Sequence, residues 1–359
     1  MKNHHLVSDF KYKEILVEKR PLMNEQGKPV EGLFNFWISL NNPAQYNSYT
    51  TEAIKEVILA FRQASTDRST VAVVFTAVGD KAFCTGGNTK EYAEYYAGNP
   101  PEYKQYMRLF NDMVTSILLC DKPVINRVNG MRVGGGQEIG MACDFSIAAD
   151  SARFGQAGPK HGSAPDGGST DFLHLYVGVG RALESCTLCK HWSAVQAAQM
   201  GLINKVVPVY KNKAGQFIRT PFVQTEMCDE WGNPSFGAFK TGAAMQEAKR
   251  VAEECTVDLS LLDAEVQKMS FELAMTMPDC LSKTLESVRK KKLEHWQQNC
   301  ETNRSWLALN MMTEAKAGFR AFNEGPKNNR EVDFLKLRQA LAEATPWTDE
   351  LIAKVMPRG

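Results

Sequence analysis

Two glycine-rich segments of the sequence have the residue types needed to hold a carbonyl oxygen as it becomes negative. They are KAFCTGGN at residues 81–88 and NGMRVGGGQE at residues 129–138. Glycine lets main-chain N–H groups approach a ligand without a Cβ in the way, and a helix N-terminus adds partial positive charge. Two such turns that face each other would supply paired donors to one oxygen, as in an oxyanion hole. Close packing of two tight turns is the alternative explanation, and neither segment has the spacing of a nucleotide-binding loop.

Both segments follow predicted strands, so the surrounding elements decide whether the two turns meet. Buried apolar runs predict strands, and apolar residues at helical spacing predict helices. Alternation of strand and helix predicts a parallel sheet with crossover helices, which is an α/β fold class. The predicted strands are 34–40, 71–77, 123–128 and 144–149, and the predicted helices are 50–65 and 102–120.

The second half of the chain has a different pattern. The strand signal stops after about residue 244, and helices are predicted at 244–255, 261–276, 279–298 and 302–323. The stretch before them is rich in Gly, Pro and aromatic residues without clear periodicity, which indicates an ordered insertion near a site or an interface. The sequence therefore divides into a core at 1–208, an insertion at 209–242 and a C-terminal helical region at 243–359.

Composition excludes several classes of protein. The 359 residues carry 42 Lys+Arg against 41 Asp+Glu and are 43% hydrophobic, which is typical of a globular chain and argues against a nucleic-acid partner. No apolar run approaches the ~20 residues that span a bilayer, so a membrane partner and export are not expected. The nine scattered cysteines favour free thiols in a reducing cytoplasm, including the Cys186/Cys189 pair, which is read as packed thiols on a helix.

The order of the motifs resembles the crotonase (enoyl-CoA hydratase/isomerase) superfamily. The resemblance covers about residues 34–208, from KAFCTGGN through VNGMRVGGGQEIGMACDF and ARFGQAGPKHGS to GLINKVVP, and AKAGFRAFNEGPKNN at 315–329 resembles the superfamily's C-terminal helical ending. It implies a ββα spiral core with a C-terminal trimerisation region and a homotrimer or homohexamer. It also implies an acyl-CoA substrate, water as co-substrate and no cofactor, since CoA is part of the substrate. GQAGPKHGS resembles the naphthoate synthase branch, and the whole chain resembles hydrolases that open the ring of a cyclic enone thioester.

The resemblance assigns roles to individual residues. Gly87 and Gly135 match the two oxyanion-hole donors, which act through their backbone N–H groups. Glu138 matches the first catalytic glutamate of the hydratases and lies in the first helical turn beyond Gly135, whereas the second hydratase glutamate is replaced by Gly158. Two-glutamate hydration is therefore not expected. Further contacts to the substrate or its CoA moiety are expected from Gly86, Asn88, Lys90, Gly134 and Gly158.

Three more residues are candidates for proton transfer. Asp166 falls where dienoyl-CoA isomerases and 4-chlorobenzoyl-CoA dehalogenases carry a catalytic aspartate, and a turn aspartate in PDGG is the alternative. Two carboxylates can divide acid and base roles if their environments separate their pKa values. His161 could relay protons near neutrality or be structural. Asp171 follows Ser169 and Thr170 at a predicted helix start, where helix capping is the alternative to catalysis.

Other functions stay open from the sequence. A related enzyme with the same oxyanion hole could perform only hydration, isomerisation or a naphthoate-type condensation. The basic run Arg289–Lys292 is typical of a solvated helix face, although CoA phosphates or the RNA of an RNA-binding crotonase-like protein would also attract it. The missing glutamate at Gly158 also fits an inactive paralogue. No residues are assigned to a metal.

Overall fold

The computed structural model describes Lys2, residues 4–6 and residues 10–357, so the outermost ends of the first and last predicted regions lie outside the described residues. Within these ranges the strands are β1 Ile15–Met23, β2 Pro29–Leu40, β3 Thr70–Ala77, β4 Ala82–Cys84, β5 Val124–Val128, β6 Met131–Val133, β7 Phe145–Ala149, β8 Arg153–Gly155, β9 Trp192–Ser193, β10 Lys205–Val207, β11 Tyr210–Lys211, β12 Phe217–Ile218 and β13 Thr256–Val257. The helices are α1 Thr51–Thr66, α2 Thr89–Glu91, α3 Pro100–Leu118, α4 Gly135–Ala142, α5 Ser169–Val177, α6 Val179–Leu188, α7 Ala194–Gln199, α8 Gly242–Glu253, α9 Ser260–Ala274, α10 Pro278–Asn310, α11 Glu314–Glu324, α12 Phe334–Ala342 and α13 Asp349–Val355.

Two sheets of the described chain carry the site. One has the order β1-β2-β3-β5-β7-β10, and all its neighbours are parallel except the antiparallel pair β1 and β2. The other has the order β4-β6-β8-β9, with β4, β6 and β8 parallel. The strand of TVAVVFTA at β3 is almost fully buried, as its β-branched composition predicts. The predicted α/β fold class is confirmed.

The short sheet brings the two glycine-rich turns together. Strands β4 and β6 are parallel neighbours, so the turns that follow them leave the same end of the sheet. A Cβ on Gly136 would collide with the carbonyl of Cys84, which means that α4 packs directly on the first turn. Close packing therefore explains the glycine at position 136. Ligand binding remains the explanation for other glycines of the same two turns.

The C-terminal region departs from the sequence prediction at one point. The segments 279–298 and 302–323 were expected to be two helices, but α10 continues without a break to Asn310 and α11 begins at Glu314. Trp296, Cys300 and Leu307 are all buried, so a single apolar stripe crosses the expected break. The chain turns instead at Thr313, whose backbone is not helical.

The basic run on α10 is also different from the predicted solvated face. The Arg289 guanidinium is buried and binds Asp144 with two nitrogens, at 2.7 and 2.5 Å. The Lys292 ammonium donates to the carbonyl oxygens of Met141 and Cys143. These two residues connect α10 to the end of α4. Half of the basic run therefore has a structural role and is not available to bind CoA phosphates or RNA.

The insertion at 209–242 is ordered, with most of its chain outside helices and strands. Strands β11 and β12 form a small antiparallel sheet with β13, and Val223 and Phe239 form an isolated bridge. The Arg153 guanidinium lies over the Phe239 ring at 4.7 Å, so an aromatic of the insertion packs on the core, as expected.

Candidate active site

A pocket of about 110 Å³ lies between the two glycine-rich turns. Gly86, Gly87, Gly134 and Gly135 all line it. A Cβ on Gly86 would lie 3.0 Å from the amide nitrogen of Gly135, which shows how closely the turns approach each other. Among the described residues, no hydrogen bond uses the N–H of Gly87 or of Gly135. Gly135 opens α4, so its N–H has no partner within the helix. The two amides therefore lie in one pocket with their donors unused.

A buried polar network fixes the second turn. The Arg132 guanidinium is fully buried and donates to Gln137 Oε1, Asn126 Oδ1 and Ser146 Oγ, at 2.8 to 2.9 Å. These bonds connect β5, β6 and β7 to the first turn of α4. Because a guanidinium has its donors in a rigid planar fork, this contact sets the orientation of α4 and hence of the Gly135 amide.

Glu138 is the carboxylate that faces this pocket most directly. Its Oε1 accepts hydrogen bonds from the amides of Gly167 and Ser169, at 3.1 and 3.3 Å. Burial raises the pKa of Glu138 to about 8, and the nearby Asp166 carboxylate adds to this effect. A carboxyl with a pKa near neutrality can take up or release a proton during a reaction.

The two predicted aspartates lie behind the pocket wall. Asp166 is half-buried in the turn that covers Glu138, and its Oδ1 accepts a hydrogen bond from Thr170 Oγ1 at 2.9 Å. Asp171 is buried and accepts from Asn299 Nδ2. It is the third residue of α5 and makes no capping bond, so the capping alternative is wrong. Burial raises the pKa of both aspartates.

His161 and Gly158 also line the pocket. The His161 ring packs edge-on against Phe322 at 4.9 Å, and its buried Nδ1 has no partner among the described residues. Burial lowers the pKa of His161, so the ring is neutral near pH 7. A Cβ on Gly158 would collide with the carbonyl oxygen of Ser163, so this turn has no room for the side chain of the second hydratase glutamate.

Two of the expected substrate contacts do not line the pocket. Asn88 is the N-cap of α2, where its Oδ1 accepts from the amides of Lys90 and Glu91. Lys90 is exposed, and its ammonium lies 3.9 Å from Glu94. Asn is also among the preferred helix caps, and this is the role that Asn88 has here.

A cluster of tyrosines was missed by the sequence reading. Tyr49, Tyr92, Tyr103 and Tyr106 are buried and line the pocket. A signal was present in EYAEYYAGNPPEYKQY, where aromatic residues recur at helical spacing. Such spacing predicts a buried face and does not by itself separate a core from a pocket wall.

The described residues contain no cluster of His, Cys, Asp and Glu suited to a metal ion. Within the same residues, no helix combines the length and the apolar character that crossing a bilayer requires. Each of the nine cysteines is a free thiol. None of the residues that line the pocket comes from the insertion at 209–242.

Comparison with known proteins agrees with this geometry. The model of the enoyl-CoA hydratase/isomerase family matches residues 36–220, which is more than half of the chain. The chain belongs to the enoyl-CoA hydratase/isomerase family. An enoyl-CoA hydratase/isomerase from Xanthobacter autotrophicus Py2 has the same fold, with a TM-score of 0.63, 22% identity and coverage of 93% of this chain and 97% of that chain.

Relatives within the enoyl-CoA hydratase/isomerase family are similar over nearly the whole chain. A 6-oxocyclohex-1-ene-1-carbonyl-CoA hydrolase of Geobacter metallireducens is 62% identical, over 95% of this chain and 90% of the relative. A hydrolase of the same name from Thauera aromatica is 58% identical, over 99% of this chain and 94% of the relative. The similarity therefore includes the insertion and the C-terminal helices.

Proposed function

We propose that this chain is a hydrolase that hydrates and ring-opens 6-oxocyclohex-1-ene-1-carbonyl-CoA to 3-hydroxypimeloyl-CoA. The names and the 58 to 62% identity of its relatives support this substrate. The observation that carries the chemistry is the pair of unused amides at Gly87 and Gly135 in one pocket with the buried Glu138. Such a site can stabilise a thioester enolate, which is the charged species in both steps of the reaction.

The first step adds water to the ring C=C bond. The water oxygen bonds to the β-carbon, its proton passes to a carboxylate, and the π electrons move into an enolate shared by the thioester oxygen and the ring ketone oxygen. The amides of Gly87 and Gly135 hold the thioester oxygen as it becomes negative. The α-carbon then takes up a proton, which leaves a ring-intact hydrate. Loss of one such donor typically costs about 3 kcal/mol of transition-state stabilisation.

The second step breaks the ring. Water attacks the ring ketone carbon and forms an alkoxide, which then collapses to a carboxylic acid. The bond from the ketone carbon to the α-carbon breaks, and its electron pair enters the same thioester enolate. Protonation of the α-carbon releases the open-chain product. One oxyanion hole therefore serves both steps, and no cofactor besides the CoA of the substrate is required.

Glu138 and Asp166 are proposed to activate the water molecules and to move the protons. Glu138 borders the pocket, and Asp166 lies in the turn that donates an amide to it. His161 is proposed as a proton relay, supported by its unpaired Nδ1 beside the pocket. Asp171 is proposed to act through Glu138, whose pKa it helps to raise. The glycines at 86, 134 and 158 leave room for the thioester.

Labelled water tests this function. The purified protein is incubated with 6-oxocyclohex-1-ene-1-carbonyl-CoA in ¹⁸O-water, and the product is examined by mass spectrometry. Ring opening by two water molecules gives an open-chain product with two labels. A ring-intact product with one label would mean that the protein is only a hydratase, and binding without turnover would identify an inactive paralogue.

The assembly and the compartment are also proposals. A homotrimer or homohexamer is supported by exposed apolar residues on α6, where Val179 and Leu183 are 63% and 58% exposed. A cytoplasmic location is supported by the free thiols of all nine cysteines.

A further inference from the structure

The hydroxyl groups of the pocket tyrosines lie against the two oxyanion glycines. A Cβ on Gly135 would collide with the Tyr49 hydroxyl, and a Cβ on Gly87 would collide with the Tyr92 hydroxyl. Each phenol oxygen therefore contacts the α-carbon of a glycine whose amide is unused. The α-carbons and the amides belong to the same residues, so the phenols and the amides face the same small volume.

These phenols have protons to donate. The Tyr49 hydroxyl forms no hydrogen bond with any described residue. The Tyr92 and Tyr106 hydroxyls are 2.7 Å apart. Two phenols joined by one hydrogen bond hold two protons, so one proton of this pair is left for a ligand. Together with Tyr49, the pocket offers two phenolic donors.

The donors are neutral throughout the pH range in which proteins work. Burial raises the pKa of Tyr49, Tyr92 and Tyr106 well above the ordinary value for a phenol. The phenols therefore keep their protons and cannot serve as bases. A fixed neutral donor in a buried site is well suited to an oxygen that becomes negative, because it does not have to be reoriented during the reaction.

The proposed substrate has a second oxygen that requires such donors. Its ring ketone carbon and its thioester carbonyl carbon are both bonded to the α-carbon, so the two oxygens lie within a few ångströms of each other. When the amides of Gly87 and Gly135 hold the thioester oxygen, the ketone oxygen must lie close beside them. The phenols of Tyr49 and of the Tyr92–Tyr106 pair are the described donors that adjoin these glycines.

We propose that Tyr49 and the Tyr92–Tyr106 pair form a second donor set, which holds the ring ketone oxygen and the alkoxide formed from it. This inference rests on the function proposed above. In the ring-opening step, water adds its oxygen to the ketone carbon and gives a proton to a carboxylate. The electron pair of the C=O bond becomes the alkoxide lone pair that the phenols hold. The C=O bond then re-forms as the bond between the ketone carbon and the α-carbon breaks. The electron pair of the broken bond enters the thioester enolate, whose oxygen the amides hold.

The two donor sets then differ in which step depends on them more. Addition of water to the C=C bond gives an enolate whose negative charge is shared by the thioester oxygen and the ring ketone oxygen, because both carbonyl carbons are bonded to the α-carbon. Attack of water on the ketone instead puts a full negative charge on the ring oxygen. Loss of a phenol should therefore slow ring opening much more than hydration, whereas a role of the phenols at the thioester oxygen would slow both steps equally.

The variants Tyr49→Phe and Tyr106→Phe test this division, with Tyr96→Phe as the matched control. Tyr96 packs on the Tyr106 ring at 4.9 Å, but its hydroxyl bonds to Thr51 Oγ1 and does not line the pocket. We expect ring opening to slow about 100-fold in the first two variants, with hydration slowed by no more than about tenfold. The ring-intact hydrate, with one ¹⁸O label, should accumulate. Tyr96→Phe should resemble the wild type.

A binding measurement made before turnover gives an independent test. Affinities are measured by rapid mixing, before the ring of the keto thioester can open, for 2-oxocyclohexanecarbonyl-CoA and for cyclohexanecarbonyl-CoA, which lacks the ketone. Tyr49→Phe should weaken binding of the keto thioester about tenfold relative to the keto-free one, and Tyr106→Phe provides the same test if the first variant does not fold. Equal loss for both thioesters, or equal slowing of both steps, would overturn the inference. A wild-type protein that never opens the ring would instead refute the proposed function, and the binding comparison would still decide the role of the phenols.

Discussion

At the scale of single residues, the environment of Glu138 is the most informative feature of the site. A carboxyl with two amide donors should be readily ionised, yet burial dominates and raises its pKa to about 8. The turn at Gly167 has no Cβ, which would collide with the Glu138 carboxyl. The protein therefore holds a carboxyl with little solvent contact, directly at the pocket between the two glycine-rich turns.

The first prediction concerns stability and pH. The folded pKa of Glu138 lies above the ordinary value of 4.5, so the folded chain holds this proton more tightly than the unfolded chain. The contribution to stability is complete below pH 4.5 and is lost as the pH rises towards about 8. Relative to Glu138→Gln, the wild type should lose on the order of 4 to 5 kcal/mol of unfolding free energy over this window, as measured by urea unfolding. Parallel pH curves for the two proteins would contradict a raised pKa.

The second prediction separates the two aspartates. Asp166→Asn should lower the rate of ring opening at least tenfold, because a carboxylate that shuttles protons is lost. Asp171→Asn should stay within about threefold of wild type, since the Asn oxygen can still accept the bond from Asn299 and the Asp171 charge is only a minor cause of the raised pKa of Glu138. Initial rates with 6-oxocyclohex-1-ene-1-carbonyl-CoA decide between them. Full turnover in Asp166→Asn would remove Asp166 from the mechanism, and an equal loss in Asp171→Asn would reverse the ranking.

At the scale of elements, α10 shows how a helix distant from the pocket positions it. Arg289 and Lys292 bind the loop that follows α4, and α4 carries both Gly135 and Glu138. The helix therefore fixes the far end of the element on which the amide donor and the carboxylate lie. This contact is also the reason why a strongly basic sequence run is not a free surface.

The third prediction tests this anchor. Arg289→Met leaves the buried Asp144 carboxylate without its partner, and breaking such a pair typically costs about 3 to 5 kcal/mol. Lys290→Met, at the next and exposed position, should change the unfolding free energy by less than about 0.5 kcal/mol. Both are measured by urea unfolding at constant pH. Equal effects of the two substitutions would show that the ion pair contributes nothing to stability.

The sequence predicted most of the core elements because their signals are local. The β-branched run of β3 and the Thr50 cap of α1 lie within their own elements. The tyrosine wall could not be predicted in the same way. Tyr49 and Tyr106 are distant in sequence and meet only because α3 packs on α1. The sequence predicted a break between two helices at 299–301, and this prediction was wrong. Polar residues flank Cys300 in the sequence, so its position on a buried helix face was not evident.

At the scale of the whole molecule, one apolar face of the described chain stays exposed. Val179 and Leu183 are four residues apart on α6, so they lie on the same side of the helix. Both are more than half exposed. Exposed large apolar residues at helical spacing are typical of a surface that a partner covers.

The fourth prediction is that Leu183→Glu weakens self-association. A charge placed in an apolar contact must lose its hydration, so the variant should shift from trimers or hexamers towards monomers in light scattering. Arg181→Gln changes an exposed polar residue of the same helix and should leave the mass unchanged. A wild-type protein that is monomeric at high concentration would contradict the proposed assembly.

The backbone origin of the donors at Gly87 and Gly135 determines which mutations and which chemical substitutions can remove them. Since their donors belong to the polypeptide backbone, nearly any codon change leaves the hydrogens in place and acts only by displacing them. Side chains that do not contact these two turns can thus diverge over evolutionary time while the two donors persist. Replacing one of these peptide bonds by an ester would remove a single N–H donor without changing any side chain of the loop. Such an ester can be introduced by semisynthesis or by incorporating an α-hydroxy acid during translation.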